Sequence, residues 1–145
     1  MYSLANIGHD EAAAAIRAIR EAILQAGKTG VIAVADAHGE LIALLRLDRA
    51  PLASITIAAN KAFTAARERK TTAELGRKIR DPEKGFDIAY FGDPRFVGFG
   101  GGVPVLIDGV TVGAVSVSGL SEEEDAAFAR FGVDAILRLA GKQHP

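Results

Sequence analysis

Apolar residues near the start of the chain recur at helical spacing. Ile16, Ile19 and Ile23 fall at i, i+3 and i+7, with Arg17, Arg20 and Glu21 on other faces, which predicts an amphipathic helix over residues 9–26. Gly27 supplies its C-terminal stop. The period then shortens. Residues 31–35 and 41–46 are apolar runs separated by Asp36-Ala37-His38-Gly39, and such runs around turn chemistry predict an antiparallel hairpin. Pro51 suits the first turn of a second helix, where its missing N–H would be unpaired anyway. That helix extends over about residues 52–69. On its wheel Leu52, Ile55, Ala58, Ala59, Ala62, Phe63, Ala65 and Ala66 form an apolar arc, Thr56, Asn60, Thr64 and Arg67 form a polar stripe, and Lys61 falls at the edge of the arc. Residues 71–80 predict a shorter helix, and residues 81–92 have no regular pattern.

Residues 103–107 predict a strand, Asp108-Gly109 a two-residue hairpin loop, and residues 110–117 the returning strand. Ser121 with Glu124 three residues on forms a capping box for a final helix. Glu122, Glu123 and Asp125 suit the positive end of its dipole, and Arg138 and Lys142 the negative end. Phe128, Phe131, Ala135 and Leu139 are expected on its buried face. The order helix, hairpin, two helices, hairpin, helix predicts an α+β fold. In it an antiparallel sheet of two hairpins, about five strands, is covered by helices. A Rossmann fold would alternate single strands with helices, and this chain does not.

Composition narrows the function classes. A chain of 145 residues without linker or repeat is expected to form one domain, residues 1–145. The formal net charge is −1, so neither nucleic acid nor an anionic membrane surface is an expected partner. The absence of cysteine excludes disulfides, thiolate metal sites, cysteine nucleophiles and iron–sulfur clusters. No segment approaches the ~18–20 apolar residues of a membrane-spanning helix. Residues 1–5 lack the basic and apolar regions of a signal peptide, so a cytoplasmic location is expected.

The densest local signal is Gly98-Phe99-Gly100-Gly101-Gly102-Val103-Pro104. A dinucleotide fingerprint needs a helix after its glycines, and a P-loop needs Gly-Lys-Ser/Thr. Here a strand follows, and Val103-Pro104 stands where the lysine would be. Two readings remain for a backbone without Cβ atoms: a tight turn into the hairpin, or a close approach to a ligand or subunit.

The same stretch carries a resemblance. Phe99-Gly100-Gly101-Gly102-Val103-Pro104, Asp108-Gly109, Val112-Gly113-Ala114-Val115 and Ser118-Gly119 followed by acidic residues up to Asp125 resemble the heme-binding GlcG/HbpS-like family. The C-terminal domain of PduO-type proteins belongs to it. Upstream, Val34-Ala35-Asp36 with Gly39 and Leu41 resembles the family's first hairpin. The stretches from Arg46 to Ser54 and from Lys61 to Ala66 resemble its central helix. The resemblance implies a profilin-like layered domain, assembly into a homo-oligomer larger than a dimer, heme or a related tetrapyrrole as ligand, and a setting in small-acid or aromatic catabolism.

Ligand contacts are expected from Asp36, His38, Arg46, Lys61, Thr64, Phe99, Gly100, Gly101 and Gly102. Heme iron needs an axial ligand, for which His38 and His9 are candidates; His144 reads as a frayed tail and Tyr90 as a packing residue or a ligand. Without a His-x-x-His or His-Glu-x-x-His spacing, no catalytic zinc site is expected. Lys61 is either a boundary lysine with its head in water or a pocket lysine that pairs with a carboxylate or heme propionate. In the latter case it is a candidate catalytic residue, with Asp36, His38 and the amides around Gly101 as further candidates that form no recognisable triad. The leading function is therefore small-molecule binding. A lyase, isomerase or tautomerase for a small carboxylate, using Lys61 and the glycine amides, and a structural or sensory module are the alternatives.

Overall fold

The computed structural model describes residues 1–143, and His144 lies outside them. The elements are α1 (His9–Gln25), β1 (Val31–Asp36), β2 (Leu41–Arg46), α2 (Ser54–Glu68), α3 (Thr72–Ile79), β3 (Gly102–Ile107), β4 (Val110–Ser118) and α4 (Glu122–Gln143). The strands form one sheet in the order β2-β1-β4-β3, with every neighbouring pair antiparallel. Each hairpin thus keeps its own pairing, and β1 joins β4 in the middle, with Val31 opposite Ser118 and Ala35 opposite Ala114.

The fold is α+β, with four strands rather than about five. The region between α3 and β3 builds only a 3-10 turn, Ile88–Phe91. Its aspartates explain this. Asp81 accepts the N–H groups of Glu83 and Lys84, Asp87 that of Ala89, and Asp93 that of Arg95. Aspartates that bond their own backbone two or three residues on favour turns over strand ladders.

Period-2 alternation divides the sheet between two helix layers. Ile32, Val34, Val115 and Val117 point to α1 and α4, where they meet Ile19, Ile23, Ala129 and Ile136. Val31, Ala33 and Ala35 point the other way, to Ala58 and Ala62 of α2. The alanines on both sides of this second interface let the helix lie close to the sheet.

Three expectations about helix faces are corrected. α2 begins at Ser54 because residues 51–53 form a turn, closed by Ser54 N–H to Pro51 O at 3.0 Å, which leaves Leu52 exposed. Thr64, expected on the polar stripe, is buried. In α4 the buried positions are Asp125, Ala129, Gly132 and Ile136, while Phe131 is 51% exposed and Phe128, Ala135 and Leu139 are half-buried. The reason is distance. A Cβ on Gly132 would sit 2.6 Å from Ile19 Cδ1 and 3.0 Å from Val115 Cγ1, so position 132 turns toward α1 and the sheet only because it is glycine, and neighbouring Phe131 turns outward. Ser121 caps the helix as expected, Glu124 N–H donating to its Oγ at 3.1 Å, but the Glu124 carboxylate accepts the Ser121 hydroxyl at 3.1 Å rather than the Ser121 N–H of a full capping box.

Candidate functional site

Lys61 and the glycine cluster come together, but around a residue the sequence did not single out for them. Lys61 Nζ donates to Asp125 Oδ2 at 2.9 Å and to Val117 O at 3.1 Å. Asp125 sits in the first turn of α4, and its other oxygen, Oδ1, accepts Leu120 N–H at 3.1 Å. Both residues are only 2% exposed. Lys61 is thus neither a boundary lysine with a wet head nor a lysine aimed into a cavity. It ties α2 to β4 and α4. Burial pushes the Asp125 carboxyl above the usual carboxylate range, against the pull of the Lys61 ammonium and the Leu120 N–H. A carboxyl raised in the folded state favours folding at low pH, and that contribution is lost as pH rises through the raised value.

The glycines make room for this pair. Gly101 has φ +129°, and a Cβ there would lie 2.6 Å from Val117 O, 2.7 Å from Lys61 Nζ and 2.9 Å from Asp125 Cβ. A Cβ on Gly102 would lie 2.6 Å from Lys61 O and 2.7 Å from Thr72 Cγ2. The backbone groups are engaged as well. Gly100 N–H donates to Glu122 Oε1 at 2.6 Å, Gly102 N–H to Thr72 Oγ1 at 2.9 Å, and Gly101 O accepts Val117 N–H at 3.1 Å. The close approach permitted by the cluster is to α2, α3 and α4, and these amides are already occupied within the chain.

The other candidates lie elsewhere. Asp36 shapes the β1–β2 turn, its Oδ1 accepting His38 N–H at 2.9 Å and Glu40 N–H at 3.0 Å. His38 is exposed at the tip of that turn; its carbonyl accepts Arg67 Nε–H at 2.7 Å, and its ring has no partner among the described residues. His9, also exposed, lies 3.6 Å from Asp10. Arg46 is exposed at the end of β2, and Phe99 is exposed beside the glycines. Thr64 Oγ1 donates to Arg95 O at 3.2 Å and accepts Val97 N–H at 3.0 Å, pinning the irregular segment against α2.

That segment builds a face not anticipated from sequence. Arg95 lies over the Phe63 ring at 3.9 Å and Arg67 at 4.6 Å. Phe63, Phe96 and Phe91 continue as a row, with centroid spacings of 5.0 and 4.9 Å. Glu40 lies 3.4 Å from Arg67 and 3.5 Å from Arg95, and Asp93 lies 2.9 Å from Arg95. His38 adjoins this face through Arg67. Arg95 had no periodic or motif signal, because its position depends on Thr64 and Asp93. The Arg95 guanidinium holds the Asp93 carboxyl below the usual range. A lowered carboxyl adds stability above its unfolded value that is lost as pH falls through the folded one. Asp93→Asn should therefore lower Tm at neutral pH, and the gap to wild type should close as pH falls below about 4; thermal melts across pH check this.

A further groove is separate. It has about 870 Å³ and runs between residues 3–7, the β3–β4 loop and the last turns of α4. Among the described residues no histidine, tyrosine, methionine, lysine or arginine lines it. Among the described residues no group of three metal-ligating side chains occurs, and no helix is long and apolar enough to cross a membrane.

The comparisons agree with this architecture. Residues 7–134 match the family described as haem degrading protein HbpS-like. A 15.0 kDa protein encoded in the dhaT–dhaS intergenic region of Citrobacter freundii is 32% identical over 123 residues, 85% of this chain and 87% of that protein. The corrinoid adenosyltransferase PduO of Salmonella typhimurium is 31% identical over 106 residues, 73% of this chain but only 32% of that longer protein. Among solved structures, Klebsiella pneumoniae ORFY superimposes with a TM-score of 0.89 at 26% identity, covering 94% of each chain. The PduOC:heme complex superimposes with a TM-score of 0.82 at 28% identity, covering 90% of this chain and 94% of that one. With a matching sequence over nearly its whole length and the same sheet and helix layers, this chain belongs to the HbpS-like family.

Proposed function

We propose that this protein binds heme or a related tetrapyrrole on the face formed by His38, Arg67, Arg95 and the phenylalanine row. The observation that carries the reading is the likeness to a heme complex over nine-tenths of the chain.

The residues present fit such a group at one place. Heme needs an axial ligand, apolar or aromatic surface for its ring, and cations for its propionates. Among the described residues the groove at the end of α4 offers no histidine and no cation. The His38 turn offers an exposed imidazole, and Arg67 and Arg95 stand beside it with their guanidinium carbons over the Phe63 ring. Bound heme would supply an iron centre for ligation and redox chemistry. The chain's own part is to present a ring nitrogen at His38 and to hold the two guanidiniums, Arg67 by the His38 carbonyl and Arg95 by Asp93. Lys61 and the glycine amides, engaged with Val117, Asp125, Glu122 and Thr72, do not touch the ligand. Heme held this way lies on the surface, and a second copy of the chain is the natural cover for its open side. This is the reason to expect a homo-oligomer.

Hemin titration of the full chain tests the reading. A saturable Soret shift is expected, weakened about ten-fold or more in His38→Ala and unchanged in His9→Ala. Native mass spectrometry of the same samples reads bound heme and assembly together. A wild-type Soret band equal to that of free hemin would overturn heme binding. Wild-type affinity in His38→Ala would move the site.

A further inference from the structure

We propose that Arg67 and Arg95 form a site for the carboxylate of a ligand, and that in the free protein Glu40 holds its place. The two guanidiniums converge on one atom. Arg67 Nη2 lies 3.4 Å and Arg95 Nη1 3.5 Å from Glu40 Oε1. Their other edges are fixed by the chain. Arg67 Nε–H donates to His38 O at 2.7 Å. Arg95 Nε–H donates to Asp93 Oδ1 at 3.1 Å, and its Nη2 to Asp93 Oδ2 at 2.9 Å. Buried Phe63 lies beneath both cations. A Cβ on Gly39 would lie 3.0 Å from Phe63 Cδ2 and 3.1 Å from Arg67 Cγ, so the β1–β2 turn packs tightly against this base. The two donors are therefore in position before any ligand arrives, which lowers the cost of binding.

Glu40 is the replaceable member. Its two contacts lie at the outer limit of hydrogen bonding, against about 2.7–2.9 Å for a charged pair, and its side chain is 58% exposed. Exposed pairs of this kind contribute little. Its backbone is pinned separately, N–H to Asp36 Oδ1 at 3.0 Å and O to Asp36 N–H at 2.9 Å, so the carboxylate can swing out without opening the turn. Asp36 itself is engaged by the His38 and Glu40 N–H groups. Charge then favours a substitute. Arg67 and Arg95 are balanced by Asp93 and Glu40. With Glu40 turned to water one positive charge is left over, and a carboxylate placed where Oε1 stood accepts from both guanidiniums. For heme this rests on the reading above, with a propionate as the carboxylate. A free organic acid needs no iron and tests the site without it.

Isothermal titration of the full chain at matched ionic strength tests it, with wild type, Glu40→Gln and Glu21→Gln. Benzoate and neutral benzamide probe a free acid; hemin and its dimethyl ester, which lacks free carboxylates, probe the heme source. Glu21 is exposed on α1, in the opposite helix layer, and controls for the change in net charge. Glu40→Gln should bind benzoate about three-fold or more tighter than wild type, with benzamide unaffected and Glu21→Gln like wild type. Adding Arg95→Gln to Glu40→Gln should remove the gain. Hemin should gain as benzoate does and its dimethyl ester should not, which marks a propionate as an occupant of the same site. A gain for benzoate with no hemin binding would support the carboxylate site and overturn the heme reading. A gain for hemin alone would assign the site to propionates. Failure of Glu40→Gln to tighten either ligand would overturn the site even where His38-dependent hemin binding persists, and so would an equal gain in Glu21→Gln.

Discussion

Lys61→Met should destabilise the fold by about 3–5 kcal/mol, the usual cost of removing one partner of a buried ion pair. Methionine keeps much of the apolar stem, so the loss reports the charge. Without the ammonium, Asp125 Oδ2 and Val117 O both lose their donor in a site closed to water. The carboxyl, already pushed up by burial, then becomes protonated or remains an unpaired charge. Pairing Lys61→Met with Asp125→Leu should cost clearly less than the two single changes summed, because a buried pair replaced by apolar groups is often near neutral. Exposed Lys84→Met should stay within about 0.5 kcal/mol. Urea unfolding of the four variants checks this. A Lys61→Met protein as stable as wild type would show that the ammonium does not hold the three elements together.

The second large effect belongs to Gly101→Ala. Its φ of +129° disfavours any side chain, and three contacts closer than 3.0 Å await the new Cβ, one of them a backbone carbonyl that cannot move without opening β4. Strain of about 1–3 kcal/mol adds to overpacking of about 1–3 kcal/mol, so a Tm drop of several degrees or more is expected. Gly102→Ala should be costly through space alone, since its Cβ would meet Lys61 O at 2.6 Å. Gly141→Ala is the control. No atom lies within 4 Å of its Cβ, and Ala in a helix is neutral or stabilising. Differential scanning calorimetry separates the cases. If Gly101→Ala melted with wild type, the cluster would be a loose connection.

The elements were legible because their signals are local. Asp108-Gly109 and Asp36 to Gly39 specify their turns within four residues, and Ser121 with Glu124 marks the start of α4. Faces were less legible where packing distance outweighs hydrophobicity. Phe131 looks like core on a wheel, yet Gly132 is the residue that fits against Ile19. Lys61 was recognised as unusual from its place on α2. Its partner lies 64 positions on, and Asp125 read on its own is a helix-dipole residue. The Arg95 face was not legible, since Thr64 looks like part of a polar stripe until the turn-forming aspartates fold the irregular segment back onto it.

The central pairing of β1 with β4 leaves β2 and β3 as the two margins of the sheet, and each carries an obstacle to a foreign strand. On β3, Val117 N–H bonds Gly101 O, so by alternation Pro104 directs its nitrogen away from β4, where a further strand would look for a donor and find none. On β2, a bulge interrupts the register opposite Val34 and Ala35, and the strand ends at exposed Arg46. Bulges, charges and proline are the common means of blocking edge-to-edge growth. The sheet is finished at four strands, and neither margin offers a foreign strand an uninterrupted ladder of donors and acceptors.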